Sequence, residues 1–547
     1  MNDDDLRPHR HPVRIISAGT VVSMAETTPT EAFACCGERI IAVGGRGELA
    51  HKFPDAETIH LGDHAVIVPG FNDAHMHPSA VAEDSLHLDL SPDKVDSRAE
   101  LAAALRARAA DTPAGEWVRS FRYDHAKTTD GDIIDRAFLD SVCPNHPTLV
   151  VHIACHWAVA NSRALDLAGL GDDSEDPPGG SLSRDAAGHL NGLVYEQAMF
   201  DFAYAALARG ATIIPESSVE DRLRNLKTVL NGFHAAGLTS VGDALAYPGA
   251  VSLFQEAETR GELTARVGML VAYPHFTKIR DAGMRHGFGG PRLRLNGIKA
   301  FVDGAVGGGT CLLEDPYEGR PHDHGQQVVS QEELGEIVRS VHGLGMRIAV
   351  HANGDRAIAL LLDELEQAQS QEARPGLRHR IEHCTVINDE ILKRMHHLGA
   401  IAVPFGSYVT FHGDKLREWY GDDRLERMFA HRSFIDAGVA VAGSSDYTCA
   451  PFEPLLGIQS CVTRSAPDGR VLGASQKITP REALALYTTG SAQATDEQSE
   501  KGRLAPGYLA DFVALGANPL TVDPHAIAAI PVLETWVGGQ QVWSATA

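Results

Sequence analysis

Eight short runs of β-branched and apolar residues recur along the chain, each closing on a polar residue at a turn, with helical periodicity between several of them. The runs cover 66–73, 238–244, 266–273, 294–303, 346–352, 378–384, 400–406 and 439–446. In the intervening segments 331–343 and 355–370, apolar residues recur at steps of three and four, the spacing of one buried face of an α-helix. Strands that alternate with helices in this way form βα units, and eight such units in parallel make a (β/α)8 TIM barrel. The chain is therefore expected in the α/β class.

Two parts stand outside that count. Residues 13–65 and 502–547 both read as short alternating strands, and the two chain ends are expected to form one small β-sandwich. The barrel is then assigned to 66–79 and 231–501. Residues 80–230 hold far more chain than one strand-to-helix connection needs, so they are expected to be an inserted α/β region that covers the active site.

At 547 residues, 44% hydrophobic and 22% charged, the composition is that of a globular protein that can bury a large core. Lysine and arginine number 48 against 72 acidic residues, a net charge of −24 that repels phosphate backbones and anionic lipid. Nucleic acid and membrane are excluded as partners on that ground, a small-molecule substrate fits, and a homodimer is left open. The first residues, MNDDDLRPHRHP, lack an apolar leader core and no later stretch has the length of a spanning helix, so a cytoplasmic location is expected. The eight cysteines show no paired C-x2-C spacing and are expected to be reduced thiols.

Polar residues at the ends of these runs are the candidates for chemistry. His75 and His77 close the first run, and alternate side chains of an extended strand share a face, so both can hold one metal ion. The same spacing recurs at His9/His11 and His322/His324, but those pairs lie in a polar tail and a Pro/Gly/Asp-rich loop. Lys299 interrupts an apolar strand, where a charged amine is costly to bury. A neutral amine can add carbon dioxide to become a carbamate that bridges two metal ions; a salt bridge to Asp303 is the competing reading. His351 and His383 end the fifth and sixth runs, and Asp446 ends the eighth, as a metal ligand and proton carrier or as a helix cap. In a barrel these C-terminal strand ends converge on one face.

The segments VIVPGFNDAHMHP, GIKAFVDGAVGGGT, VHANGDRAI, RHRIEHC, GSSDYTCAPFEP and GRLAPGYLADFVAL resemble the amidohydrolase superfamily, specifically its family 3, which contains N-substituted formamide deformylases. HWAVANSRAL and GHLNGLVYE inside the insertion are similar to the same family. The resemblance implies that His75 and His77 bind a first metal ion, that His351 and His383 bind a second, and that a carboxylated Lys299 bridges them. Asp446 would bind the first ion and act as the catalytic proton carrier. One or two divalent ions are implied, zinc first, with manganese, iron or cobalt also suited to such donors. Candidate substrate-contacting residues are His156, Trp157, Tyr195, Phe405 and Tyr408, for which core packing is an equal reading. The expected function is a metal-dependent hydrolase that cleaves a linear amide C–N bond, an N-substituted formamide being representative. Alternatives are hydrolysis of a carbamate, ester or lactone, deamination of a ring amidine, or a noncatalytic barrel kept as a scaffold.

Overall fold

The computed structural model describes residues 12–546, so the His9/His11 pair lies outside the described residues. Eight parallel strands form one continuous sheet in chain order: Phe71–Met76, Leu238–Ala246, Arg266–Ala272, Leu293–Phe301, Ile348–Ala352, Arg380–His383, Ile401–Val403 and Ala440–Val441. The sheet curls until its two edges meet. The Ala74 N–H donates to the Gly443 carbonyl at 3.1 Å and the Asp446 N–H to the His75 carbonyl at 2.9 Å. These two bonds join the residues after the eighth strand to the first strand, and with them the expected barrel-like α/β fold is in place.

The first run splits where the sequence suggested one strand. Val66–Pro69 pairs with Phe512–Leu515 and with Val13–Val21, whereas Phe71–Met76 belongs to the barrel. Gly70 makes the crossing possible, because a Cβ there would lie 2.3 Å from the Thr239 hydroxyl oxygen. Strands from both chain ends thus share one eight-stranded sheet beside the barrel. The buried pair Arg266–Asp511 ties that sheet to the third barrel strand, with Nε–Oδ2 at 2.6 Å.

The helix Gln331–Gly343 starts where Ser330 accepts the Glu333 N–H, and it buries Leu334, Ile337, Val338 and Val341, one face of a 3.6-residue period. The helix Asp355–Gln371 buries Ile358, Leu361, Leu362 and Leu365 in the same way. Both pack into one apolar core shared with the outer faces of the barrel strands. Among the described residues, no helix is long and apolar enough to cross a membrane.

The inserted residues form a separate six-stranded sheet with apolar layers on both faces. Alternation along Thr148–His152 sends Val150 to one layer and Leu149 and Val151 to the other. Glu83, in the helix Pro78–Asp84 that follows the first barrel strand, anchors this region. Its carboxylate accepts from the Ser217 N–H and hydroxyl and from His87, and lies 3.6 Å from Arg119 of the inserted sheet. Burial works to raise the Glu83 pKa, but His87 and Arg119 outweigh it and hold the group at about 2, below its ordinary 4.5. A depressed carboxyl pKa adds stability that is complete above the ordinary value and is lost as pH falls toward the folded value. Glu83→Gln should therefore cost about 2 to 3 kcal/mol in chemical denaturation near neutral pH. The gap between wild type and variant should close below pH 4.5; equal stabilities at neutral pH would show that Glu83 carries no such anchor.

Candidate metal centre

All six residues singled out along the strands and at their ends, His75, His77, Lys299, His351, His383 and Asp446, line one cavity at the C-terminal mouth of the barrel. Donor atoms of His75, His383 and Asp446 lie within 4.8 Å of one another. The His383 ring centre is 4.7 Å from that of His75 and 4.5 Å from that of His351.

Each side chain is aimed by a separate local device. His75 donates from Nδ1 to the buried Glu382 carboxylate, which turns its Nε2 to within 3.4 Å of Asp446. Glu382 is itself gripped by Arg380, at 2.7 and 2.8 Å, and Arg380 also reaches the Ala74 carbonyl at 2.9 Å. Burial tends to raise the Glu382 pKa, yet Arg380 and His75 hold it well below the usual carboxylate range. Asp73 accepts the backbone N–H of both His75 and Ser445 and so fixes the loop that carries Asp446. His77 Nε2 lies 2.9 Å from Asp446 Oδ1. Burial opposes ionisation of Asp446, but its hydrogen bonds with His75 and His77 keep its pKa well below the ordinary value.

His351 Nε2 is engaged 3.1 Å from the Gly304 carbonyl and 2.8 Å from the Asn353 amide nitrogen, which leaves Nδ1 free to act in the cavity. Burial drives the pKa of His351 and His383 well below that of free imidazole, the neutral form that a metal requires. His383 and Asp446 both have positive φ, 67° and 55°, a backbone region that side chains disfavour and that marks residues held in place by their surroundings. Alternation turns Glu382 inward; the left-handed turn at His383 lets its neighbour face the mouth as well.

Lys299 does not form the salt bridge to Asp303. The Asp303 carboxylate instead accepts the backbone N–H groups of Asn353, Gly354 and Leu312, each at 2.9 Å, and so shapes two loops. The Lys299 amine lies 4.8 Å from the Phe301 ring centre, with no ion-pair partner among the described residues. Burial brings its pKa down to about 8.

Of the five candidate substrate contacts, only His156 lines this cavity. Trp157 is the next residue of an extended strand and faces away, stacked on His152 at 4.0 Å with Tyr195 opposite, so both are part of the insertion's core. Phe405 stacks on His383 at 4.4 Å and supports that ring from behind. Tyr408 stacks on Phe405 and lines a neighbouring cavity. The remaining wall mixes apolar side chains, Phe200, Leu207, Leu245 and Phe301 among them, with Asp84, Tyr204 and Thr448. A second group of donors, Asp124, His125 and His152, borders the neighbouring cavity. There Lys415 lies 3.2 Å from Asp124 and already meets its charge.

Sequence reasoning missed Glu382, Arg380 and Asp73. The signal for the first two was present in RHRIEHC, where two opposite charges at i and i+2 point to one side of a strand otherwise bound for the interior. Arg380 is 1% exposed and Glu382 0%, so Glu382→Ala would strand a buried guanidinium. Such a loss costs about 3 to 5 kcal/mol. Urea denaturation should show that loss, and a variant as stable as wild type would show that Arg380 does not depend on Glu382.

A family model described as "Amidohydrolase family" matches residues 61–543. The chain is 30% identical over 510 residues to the "Putative amidohydrolase YtcJ" of Bacillus subtilis (strain 168), covering 92% of this chain and 94% of the relative. It is 28% identical over 535 residues to the "N-substituted formamide deformylase" of Arthrobacter pascens, covering 96% and 97%. Its fold is similar to that of an uncharacterized metal-dependent hydrolase from Pyrococcus horikoshii OT3, with TM-score 0.75, 24% identity and coverage of 94% and 99%. A match over most of the chain, on a barrel whose strand ends present these residues, has one consequence: the chain belongs to the amidohydrolase family, in the family 3 group that its motifs resemble.

Proposed function

We propose that this hydrolase cleaves a linear amide C–N bond by metal-assisted attack of water, with an N-substituted formamide as the representative substrate. The observation that carries this reading is the convergence of His75, His77, His351, His383, Asp446 and Lys299 on a single cavity. The similarity to a formamide deformylase supports the substrate class.

The residues fit a divalent cation on structural grounds. The buried His383 Nδ1 has no hydrogen-bond partner among the described residues, and the Asp446 carboxylate faces three imidazoles. His75, His77 and Asp446 would hold one ion, and His351 and His383 a second, with Lys299 as a carbamate between them. Zinc is the first candidate for nitrogen-rich donors, and manganese, iron and cobalt also suit them. A bound ion of this kind supplies Lewis acidity, which lowers the pKa of water and polarises a carbonyl.

The chain's own groups perform the proton transfers. Asp446 takes a proton from the attacking water and returns it to the leaving nitrogen, because an amine departs poorly as an anion. Glu382, by fixing which nitrogen of His75 carries hydrogen, keeps His75 Nε2 available as a donor atom. The apolar part of the wall, with Phe200, Leu207, Leu245 and Phe301, suits an uncharged substituent on the amide.

Purified protein should contain stoichiometric divalent metal by elemental analysis and release amine from at least one member of a panel of formamides, acyl amides, carbamates and esters. Asp446→Asn should lower turnover by about 100-fold or more while metal remains bound; wild-type rates in that variant would remove Asp446 from the proton path. Lysine carboxylation predicts a labelled carbamate signal in carbon-13 NMR after equilibration with labelled bicarbonate, absent in Lys299→Ala. No signal in metal-replete wild type would leave Lys299 as a free amine.

A further inference from the structure

Beside the metal cavity lies a second one in which the proton transfers at Asp446 take no part. The two share Ala154 and Cys449 as wall residues, so a molecule seated at the metal centre can extend past them into the neighbouring space. Tyr408, on the second wall, stacks on Phe405, which in turn stacks on His383, so two ring stacks separate this wall from the metal site.

Hydrogen-bond directions fix what the second cavity offers. The Ala154 N–H lies 3.1 Å from His152 Nδ1, and a backbone N–H can only donate, so Nδ1 presents a lone pair. His152 Nε2 therefore carries the hydrogen of that ring and donates it to His125 Nδ1, 3.1 Å away. His125 Nδ1 accepts in turn, which puts the hydrogen of the second ring on Nε2, and this N–H has no partner among the described residues. No lone pair is left on His152 Nε2 and Lys415 already engages Asp124, so Asp124, His125 and His152 are not arranged for a metal ion. The hydroxyl of the buried Tyr408 and the indole N–H of Trp419 also lack a partner among the described residues, and both residues line the same space.

Charge decides which acceptor fits these donors. Lys415 lies 3.2 and 3.4 Å from the two carboxylate oxygens of the buried Asp124. A carboxylate on a ligand would compete with Asp124 for Lys415, and an unpaired buried charge is costly. An uncharged carbonyl accepts the free N–H and disturbs neither partner.

We propose that the second cavity is a substrate subsite: the amide cleaved at the metal centre carries, on a short linker, an uncharged carbonyl group whose oxygen accepts the His125 Nε2–H, with the Tyr408 hydroxyl as a further donor. A carboxamide is the simplest such group. This inference rests on the hydrolase reading above and narrows its substrates to amides with a second carbonyl that is held but not cleaved.

The test uses the full-length, metal-replete enzyme and amides bearing an acyl group that wild type removes. Their far ends, on a series of linker lengths, are a carboxamide, its branched hydrocarbon isostere or a carboxylate. At the best linker length wild type should favour the carboxamide over each of the others by about 10-fold or more in kcat/KM. His125→Phe keeps a ring, loses the N–H and should abolish the preference over the hydrocarbon. A merely structural defect would lower both substrates alike and leave their ratio unchanged. Tyr408→Phe removes one hydroxyl and should lower the ratio by a smaller factor, which gives a second measure if His125→Phe folds poorly. The subsite would be overturned by a wild type that cleaves amides with no preference for the carboxamide at any length, by a preference for the carboxylate, or by an unchanged ratio in both variants. Each of these outcomes leaves the hydrolase reading intact. A metal-replete wild type idle on every amide would instead overturn that reading, and the subsite with it.

Discussion

The buried carboxylate of Glu382 sits at the point where fold and site depend on each other. It takes a hydrogen bond from His75 on the first barrel strand and two from Arg380 on its own strand, while Arg380 reaches back to the carbonyl of Ala74. One carboxylate thus links the first and sixth strands across the barrel interior and decides which nitrogen of His75 faces Asp446. A buried pair of this kind gives little net stability against an apolar replacement, but loss of one partner leaves an unpaired charge in the interior. The constraint therefore acts on geometry first: the His75 ring cannot rotate without breaking its hydrogen bond to Glu382, one of the contacts that join the first and sixth strands.

Around that link the site is assembled from backbone conformations that side chains normally avoid. His383 holds positive φ at the end of the sixth strand, Asp446 in the loop after the eighth, and Glu196 at the end of an interior strand of the inserted sheet. Each is fixed by bonds made elsewhere. Asp73 pins the loop that carries Asp446, Phe405 backs the His383 ring, and the His156 backbone carbonyl receives the Glu196 N–H. Positive φ at His383 and Asp446, with surroundings that impose it, is the arrangement expected where side-chain placement matters more than local stability. The insertion shares in this design, because Glu83 and Arg119 tie it to the base of the first barrel helix and so set how His156 meets the barrel mouth.

Much of this was legible in the residues themselves. Lys299, His351, His383 and Asp446 stood out because polar, metal-competent side chains interrupt or end apolar runs, where burial is costly without a purpose. The parallel barrel followed from the alternation of strand and helix periods. Other features were not legible, for specific physical reasons. The break at Gly70 is invisible to periodicity, because Val66–Pro69 and Phe71–Met76 read as one apolar run though they pair with different sheets. His156 and Trp157 carry equal weight as candidates in the sequence, yet one extended step sends them to opposite faces. Asp303 is near Lys299 in the chain, but three backbone N–H groups from remote loops claim its carboxylate first.

By itself, the sequence determined which residue types end the barrel strands and that those ends share a face, since both follow from local period and from the direction of parallel strands. Tertiary structure alone decided which atoms meet there. His75 and Glu382 stand 307 positions apart, and His77 and Asp446 stand 369 apart. No local rule couples such positions; they meet because the sheet closes on itself and brings its first strand against the residues after its last.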